Sequence, residues 1–271
     1  MNNDDTWARI KDLRTRLHGY KPRKLDPDLQ RDLKHGWLLP YLLTIDDYTW
    51  GRWDYWFRTV EAGTLLDAPI PPITFESGGN HAEGLDSRTG KHLQKCLDLL
   101  TDYGSWQGWG SWQYFDYLMD WLLYGFGYPG QPNLPKEPSP GASMRLYQTL
   151  DLHWLLLYPY DYWGGILAVN AHGRHLGFYP TPHLVVEMMC RMSFSDGDSR
   201  MQTVCDPCVG TGRMLLHASN YSLRLYGQDI NETVIKASLV NGYLYVPWLV
   251  KPIPWLDAEQ YQPEMSYQFA S

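Results

Sequence analysis

The chain has 271 residues, 44% of them apolar and 20% charged, with a net charge of −7. That balance excludes wholesale disorder, and the length admits one large domain or two small ones. The acidity excludes a surface that grips nucleic acid all over, and four cysteines are too few for a disulfide scaffold. With no signal-peptide pattern and no run of about 18 uncharged apolar residues, a cytoplasmic protein that crosses no membrane is expected.

A first helix is predicted from Asp4-Asp5-Thr6, with Trp7, Ile10, Leu13 and Leu17 at helical spacing and Gly19 to end it. Residues 1–40 carry nine Lys/Arg against six Asp, a basic segment on an acidic body. It reads either as a phosphate-contacting arm or, more simply, as a solvated helix face of mixed charge. A second helical stretch runs from Pro27 to Leu43, with a kink or break expected at Pro40. Trp53, Trp56, Phe57 and Val60 mark another apolar face before Gly63. Residues 67–90 are rich in Pro and Gly and read as a long loop. Helical periodicity returns at Leu93, Cys96, Leu97 and Leu100.

The tract Tyr103 to Trp112 alternates aromatic rings with glycine. Such rings stack on bases in some proteins, but tryptophan is foremost a core filler. Residues 129–142 hold five prolines and two glycines and form the best linker in the chain. Two domains are therefore expected, a mainly helical, aromatic-rich one over 1–140 and a second over 143–271. Residues 143–170 read as helical with a break at Pro159, and the remainder alternates short apolar runs with helices, an α/β pattern.

The chemistry is concentrated in three places. Thr203-Val204-Cys205-Asp206 is a short β-prone run ending in an acid, and Gly210-Thr211-Gly212 then opens a helix. That turn brings backbone amides close to a ligand where side chains would collide. A second strand, Leu223 to Gly227, leads to Gln228-Asp229-Ile230-Asn231, which puts the Asp229 carboxylate where a ribose diol is held in nucleoside-binding sheets. Upstream, Phe178-Tyr179-Pro180-Thr181-Pro182 forms an extended loop that enters a helix.

In this order the three pieces resemble the N6-adenine DNA methyltransferases, particularly the modification subunits of type I restriction-modification systems. The resemblance covers about residues 145–250. It implies an α/β architecture in which a helical N-terminal domain precedes a partial Rossmann-like domain, of the class I kind that binds S-adenosylmethionine. Tyr179, Thr181 and Pro182 would line the methionine and adenine side of that cofactor. Asp206, Gly210, Thr211 and Gly212 would hold its amino-acid part, Asp229 its ribose hydroxyls, and Asn231 would brace the loop beside the adenine. DNA is the implied substrate.

One departure bears on activity. The family's chemistry uses an Asn/Asp/Ser-Pro-Pro-aromatic tetrapeptide, whose polar groups accept hydrogen bonds from the target amine while the aromatic stacks on the flipped base. The only Pro-Pro pair in this chain is Pro71-Pro72, between Ile70 and Ile73. No catalytic residue can then be assigned. The expected behaviour is cofactor binding with weak or absent methylation by the chain alone. The strand ending at Asp206, normally central in its sheet, would be an open edge unless the N-terminal region or a second protein chain covers it.

Other features are weaker. Cys205-x-x-Cys208 has no partner pair, so packing outweighs a metal or redox role, and no metal site is assigned. His172, His175 and His183 follow no ligand spacing. Asp257 is either a remnant of a third cofactor contact or part of a short C-terminal helix. Two rival functions stand beside the methyltransferase reading. One is a non-catalytic assembly or cofactor-sensing subunit, or half of a split enzyme. The other, a dinucleotide enzyme, is disfavoured by the missing third glycine of its fingerprint.

Overall fold

The computed structural model describes residues 33–75, 87–101, 111–169, 178–194 and 197–258. The expected first helix, the basic arm apart from Lys34, His172, His175 and the aromatic–glycine tract up to Gly110 lie outside the described residues, as does the side chain of Asp257. What is described is mostly helical, with a small two-stranded parallel sheet.

The helical part begins with α1 (Leu39–Thr49) and α2 (Arg52–Ala62). Pro40 sits in the first turn of α1, so it starts that helix instead of kinking it; a helix start has no partner for the missing N–H in any case. Helix α2 ends at Gly63, at φ 63°, as its position predicts. Trp53 is buried and Trp56 and Val60 pack against the core as expected, but Phe57 is exposed and Arg52, Tyr55 and Thr59 are buried instead. A polar residue with enough partners can face the interior, and apolar periodicity cannot foresee those partners.

Next come α3 (Arg88–Thr101), which buries Leu93, Cys96, Leu97 and Leu100, and α4 (Ser111–Phe126). After the proline-rich connector follow α5 (Ala142–Thr149), α6 (Leu152–Leu157) and α7 (Tyr162–Val169), broken near Pro159 as expected. The connector itself is tied down: Glu137 accepts from the Gly141 and Ser143 amides, at 2.9 and 2.8 Å.

Helix α8 (His183–Ser193) starts after Pro182. Then β1 (Thr203–Asp206), α9 (Arg213–Ala218), β2 (Arg224–Gly227) and α10 (Glu232–Tyr245) form the α/β unit, and α11 (Pro247–Val250) and α12 (Pro254–Ala258) close the described chain. The strands run parallel, with Thr203 opposite Arg224 and Asp206 opposite Gly227. Helix α10 is apolar on most sides because it lies between α4 and the α9–α11 elements. Tyr243 is stacked between Phe126 at 5.3 Å and Trp53 at 6.1 Å, so the aromatic excess fills the seam between the helical part and the sheet unit. Buried residues from both sides of the connector form one cluster.

Candidate functional site

The loop 178–182, the turn after β1 and the exit of β2 surround a cavity of about 830 Å³. Tyr179, Thr181, Asp206, Gly210, Thr211, Asp229 and Asn231 all border it. Two expected residues stand just behind it. Pro182 precedes α8 as its cap, and Gly212 faces α10.

The turn exists because of its glycines. Gly210 and Gly212 adopt φ of 53° and 89°, a region that other residues avoid. A Cβ on Gly212 would come within 2.6 Å of Ser238 Oγ, and one on Gly210 within 3.0 Å of the Phe178 ring. Gly212 therefore lets α9 lie close to α10, and Gly210 leaves room for Phe178 at the cavity wall. Asp206 fixes the start of the turn, since its Oδ1 accepts from the Cys208 amide at 3.1 Å.

Asp229 joins the two ends of this arrangement. Its Oδ2 accepts from the Gly210 amide and its Oδ1 from the Asn231 amide, both at 3.0 Å. Each carboxylate oxygen has a further lone pair, so Asp229 can still accept hydroxyl donors from a ligand. Asn231 caps α10: its Oδ1 accepts from Thr233 N at 3.0 Å and Val234 N at 3.4 Å. Asp206, Asp229 and Glu232 border the cavity, and the one cation that borders it among the described residues, Arg213, faces Asp161 in an ion pair. The net field in the cavity is negative and suits a cationic ligand. Tyr179 is 79% exposed at the rim, and Trp112, the described end of the aromatic tract, also reaches the cavity.

Sequence reasoning missed a buried polar cluster behind the turn. Asp161, wholly buried, accepts from Thr211 Oγ1 at 2.6 Å, Arg213 Nε at 3.0 Å, Asn241 Nδ2 at 3.0 Å and the Gly164 amide at 3.0 Å. The Thr211 hydroxyl is thus turned away from the cavity. One signal was available: Arg213 occupies the first position of α9, where a cation opposes the helix dipole and needs a compensating acid. Beside this cluster His183 Nδ1 lies 2.9 Å from His217 Nε2, and His183 stacks on Tyr160 at 4.1 Å. Burial, with the Arg213 cation and His217 adding to it, lowers His183 to about 2. Burial likewise lowers His217 to about 4, so both rings are neutral near pH 7.

Cys205 and Cys208 are exposed free thiols, and among the described residues no group of three or more His, Cys, Asp or Glu is placed to hold a metal ion. Among those residues β1 pairs with β2 alone, and Thr203 and Cys205 are exposed. Leu184, Met188 and Met192 of α8 are likewise exposed, at 78%, 55% and 72%. No described helix is long and apolar enough to cross a membrane.

Residues 160–245, about a third of the chain, match the family model described as N-6 DNA methylase. The matched segment starts at Tyr160, beside Asp161, and ends with α10, so it contains every cavity residue except Trp112. That segment is of the N-6 DNA methylase family. Neither a curated protein nor a solved structure matches the chain significantly.

Proposed function

We propose that the cavity binds S-adenosylmethionine and that the chain is the cofactor-holding part of a DNA adenine N6-methyltransferase of Rossmann-like fold. The observation that carries this reading is Asp229, whose carboxylate meets both the Gly210 amide and the exit of β2 on the edge of an acidic cavity. The size suits a nucleoside-sized ligand, since pockets for such molecules measure about 300–1,000 Å³. The field suits a ligand with a sulfonium and an ammonium group, and it opposes a pyrophosphate-bearing dinucleotide.

In this reading Asp229 accepts from the ribose hydroxyls. Asp206 and the Gly210–Gly212 backbone hold the amino-acid end. Tyr179, Thr181 and Pro182 form the side nearest the methionine and adenine, and Asn231 keeps α10 and its preceding loop in place. When bound, S-adenosylmethionine supplies an electrophilic methyl group. The residues named here bind and orient, which is the main protein contribution in an in-line transfer. A flipped adenine also needs acceptors for its amine and a ring to stack on. The chain lacks an Asn/Asp-Pro-Pro-Tyr/Phe segment to supply them.

A second polypeptide that brings this segment is favoured by one observation. Among the described residues β1 pairs with β2 alone, so no described strand lies along its other edge, where an extended segment of a second chain can add to the sheet. The same surface would serve a non-catalytic assembly subunit.

Calorimetry with S-adenosylmethionine, beside a tritium-transfer assay on unmodified DNA, tests the proposal. Binding without robust transfer by the chain alone is expected. No binding at millimolar ligand would overturn the cofactor reading, and robust transfer would overturn the need for a partner.

A further inference from the structure

The polar cluster behind the glycine turn has a geometry that stability alone does not explain. Arg213 is one-tenth exposed in its side chain, and Asp161 is wholly buried. The guanidinium reaches Asp161 through Nε and Nη2, both 3.0 Å from Oδ2, and donates from Nη1 to the Thr181 carbonyl at 2.8 Å. Asn241 Nδ2 donates to Asp161 Oδ1 at 3.0 Å and to the Thr211 carbonyl at 2.8 Å. One ion pair therefore connects four elements: the start of α7, the glycine turn, α10 and the loop 178–182.

This is an expensive way to join them. A buried ion pair loses its hydration, and an apolar pair of the same volume often stabilises as well or better. The cation also stands at the positive pole of α9. The backbone is shaped around the pair as well. A Cβ on Gly164 would fall 2.3 Å from Asp161 Oδ2 and 2.9 Å from both Arg213 Nη2 and Thr211 Oγ1. What such a pair provides is a single fixed geometry.

We infer that Asp161 and Arg213 are positioning residues, a clamp that holds the Thr181 carbonyl, and with it the Tyr179–Pro182 side of the cavity, at a set distance from the glycine turn. The inference rests on the cofactor reading above. Neither residue is catalytic: the charge of Arg213 is engaged by Asp161, and the carboxylate faces α7 and α10 instead of the cavity. Loop 178–182 and the glycine turn both border the cavity, so release of the clamp lets one wall move against the other and lowers affinity without removing any ligand contact.

The test uses the full chain with Arg213→Met, Arg213→Lys and the double variant Asp161→Asn/Arg213→Met, which removes both charges together. Three quantities are read: hydrogen exchange of amides 181–186, affinity for S-adenosylhomocysteine by calorimetry, and melting temperature. Arg213→Met is expected to raise exchange in that window about tenfold and to weaken binding about tenfold, with Arg213→Lys restoring part of both. The double variant is expected to melt near the wild-type temperature while its binding stays weak, which a merely structural role would not produce. Wild-type exchange and affinity in the double variant would overturn the clamp. No affinity in the wild type, with loop exchange still released by Arg213→Met, would instead overturn the cofactor reading and leave the clamp standing as a loop anchor.

Discussion

Two buried arginines join the parts of this molecule, and they do so differently. Arg52, in α2, is wholly buried and donates to neutral oxygens: Pro71 O at 2.8 Å, Ser219 Oγ at 2.7 Å, Tyr245 O at 3.0 Å and the Asn220 side chain. Burial lowers it to about 9, and the neighbouring Asp46 offsets only part of that. Arg213 has a carboxylate in direct contact. The first therefore holds the helical part to the α9 and α10 ends through many weak acceptors, at the seam of the fold. The second is a local tie around one cavity. Global stability should accordingly depend on Arg52, and ligand geometry on Arg213.

The largest expected effect comes at the seam. Arg52→Met leaves several buried acceptors unpaired and should destabilise the chain by about 3–5 kcal/mol, read by denaturant unfolding. A loss no greater than that of the double variant Asp161→Asn/Arg213→Met, in which no buried charge is left unpaired, would erase the distinction. Gly212→Ala combines a positive φ with contact to Ser238. It should lose about 2–4 kcal/mol, read the same way. Asp229→Ala should leave the fold nearly intact and weaken S-adenosylmethionine by about 10–100-fold in calorimetry, since hydrogen bonds to a charged group are worth about 1.5–3 kcal/mol.

The pH dependence is smaller and of opposite sign at the two places. His183 and His217 are depressed from 6.5 to about 2 and about 4, so the stability of the neutral pair is fully present above pH 6.5 and is lost as pH falls through 4. Asp46, beside Arg52, is raised by burial from 3.8 to about 6, so its contribution is present below pH 3.8 and is lost as pH rises through 6. His217→Gln should flatten the acid limb of a melting-temperature profile, and Asp46→Asn should flatten the rise in penalty between pH 4 and 6. Profiles unchanged by these substitutions would contradict the burial that sets both shifts.

The elements around the cavity were the legible part of the sequence. Strand β1, the turn, α9, β2 and α10 all carry local signals: β-prone runs ending in acids, glycines at positive φ, and an Asn cap. The resemblance gathered Tyr179, Asp206, Gly210 and Asp229, and the four border one cavity. Arg52, Asp161 and Asn241 were not legible, because the side chains they meet, Ser219, Thr211 and Asp161 in turn, lie 50 or more residues away and a buried charge has no period. Pro40 was misread because proline opens a helix as readily as it breaks one.

In the proposed reading the glycine turn holds the amino-acid part, and Asp229 the adjoining ribose, of one cationic nucleoside. A crystal structure of the full chain grown with S-adenosylmethionine tests this most directly. Density bridging the Gly210–Gly212 backbone and Asp229, with the ribose hydroxyls on that carboxylate, is the predicted result. An empty cavity under saturating ligand, or the ligand bound elsewhere with its sulfonium away from this acidic site, would contradict it.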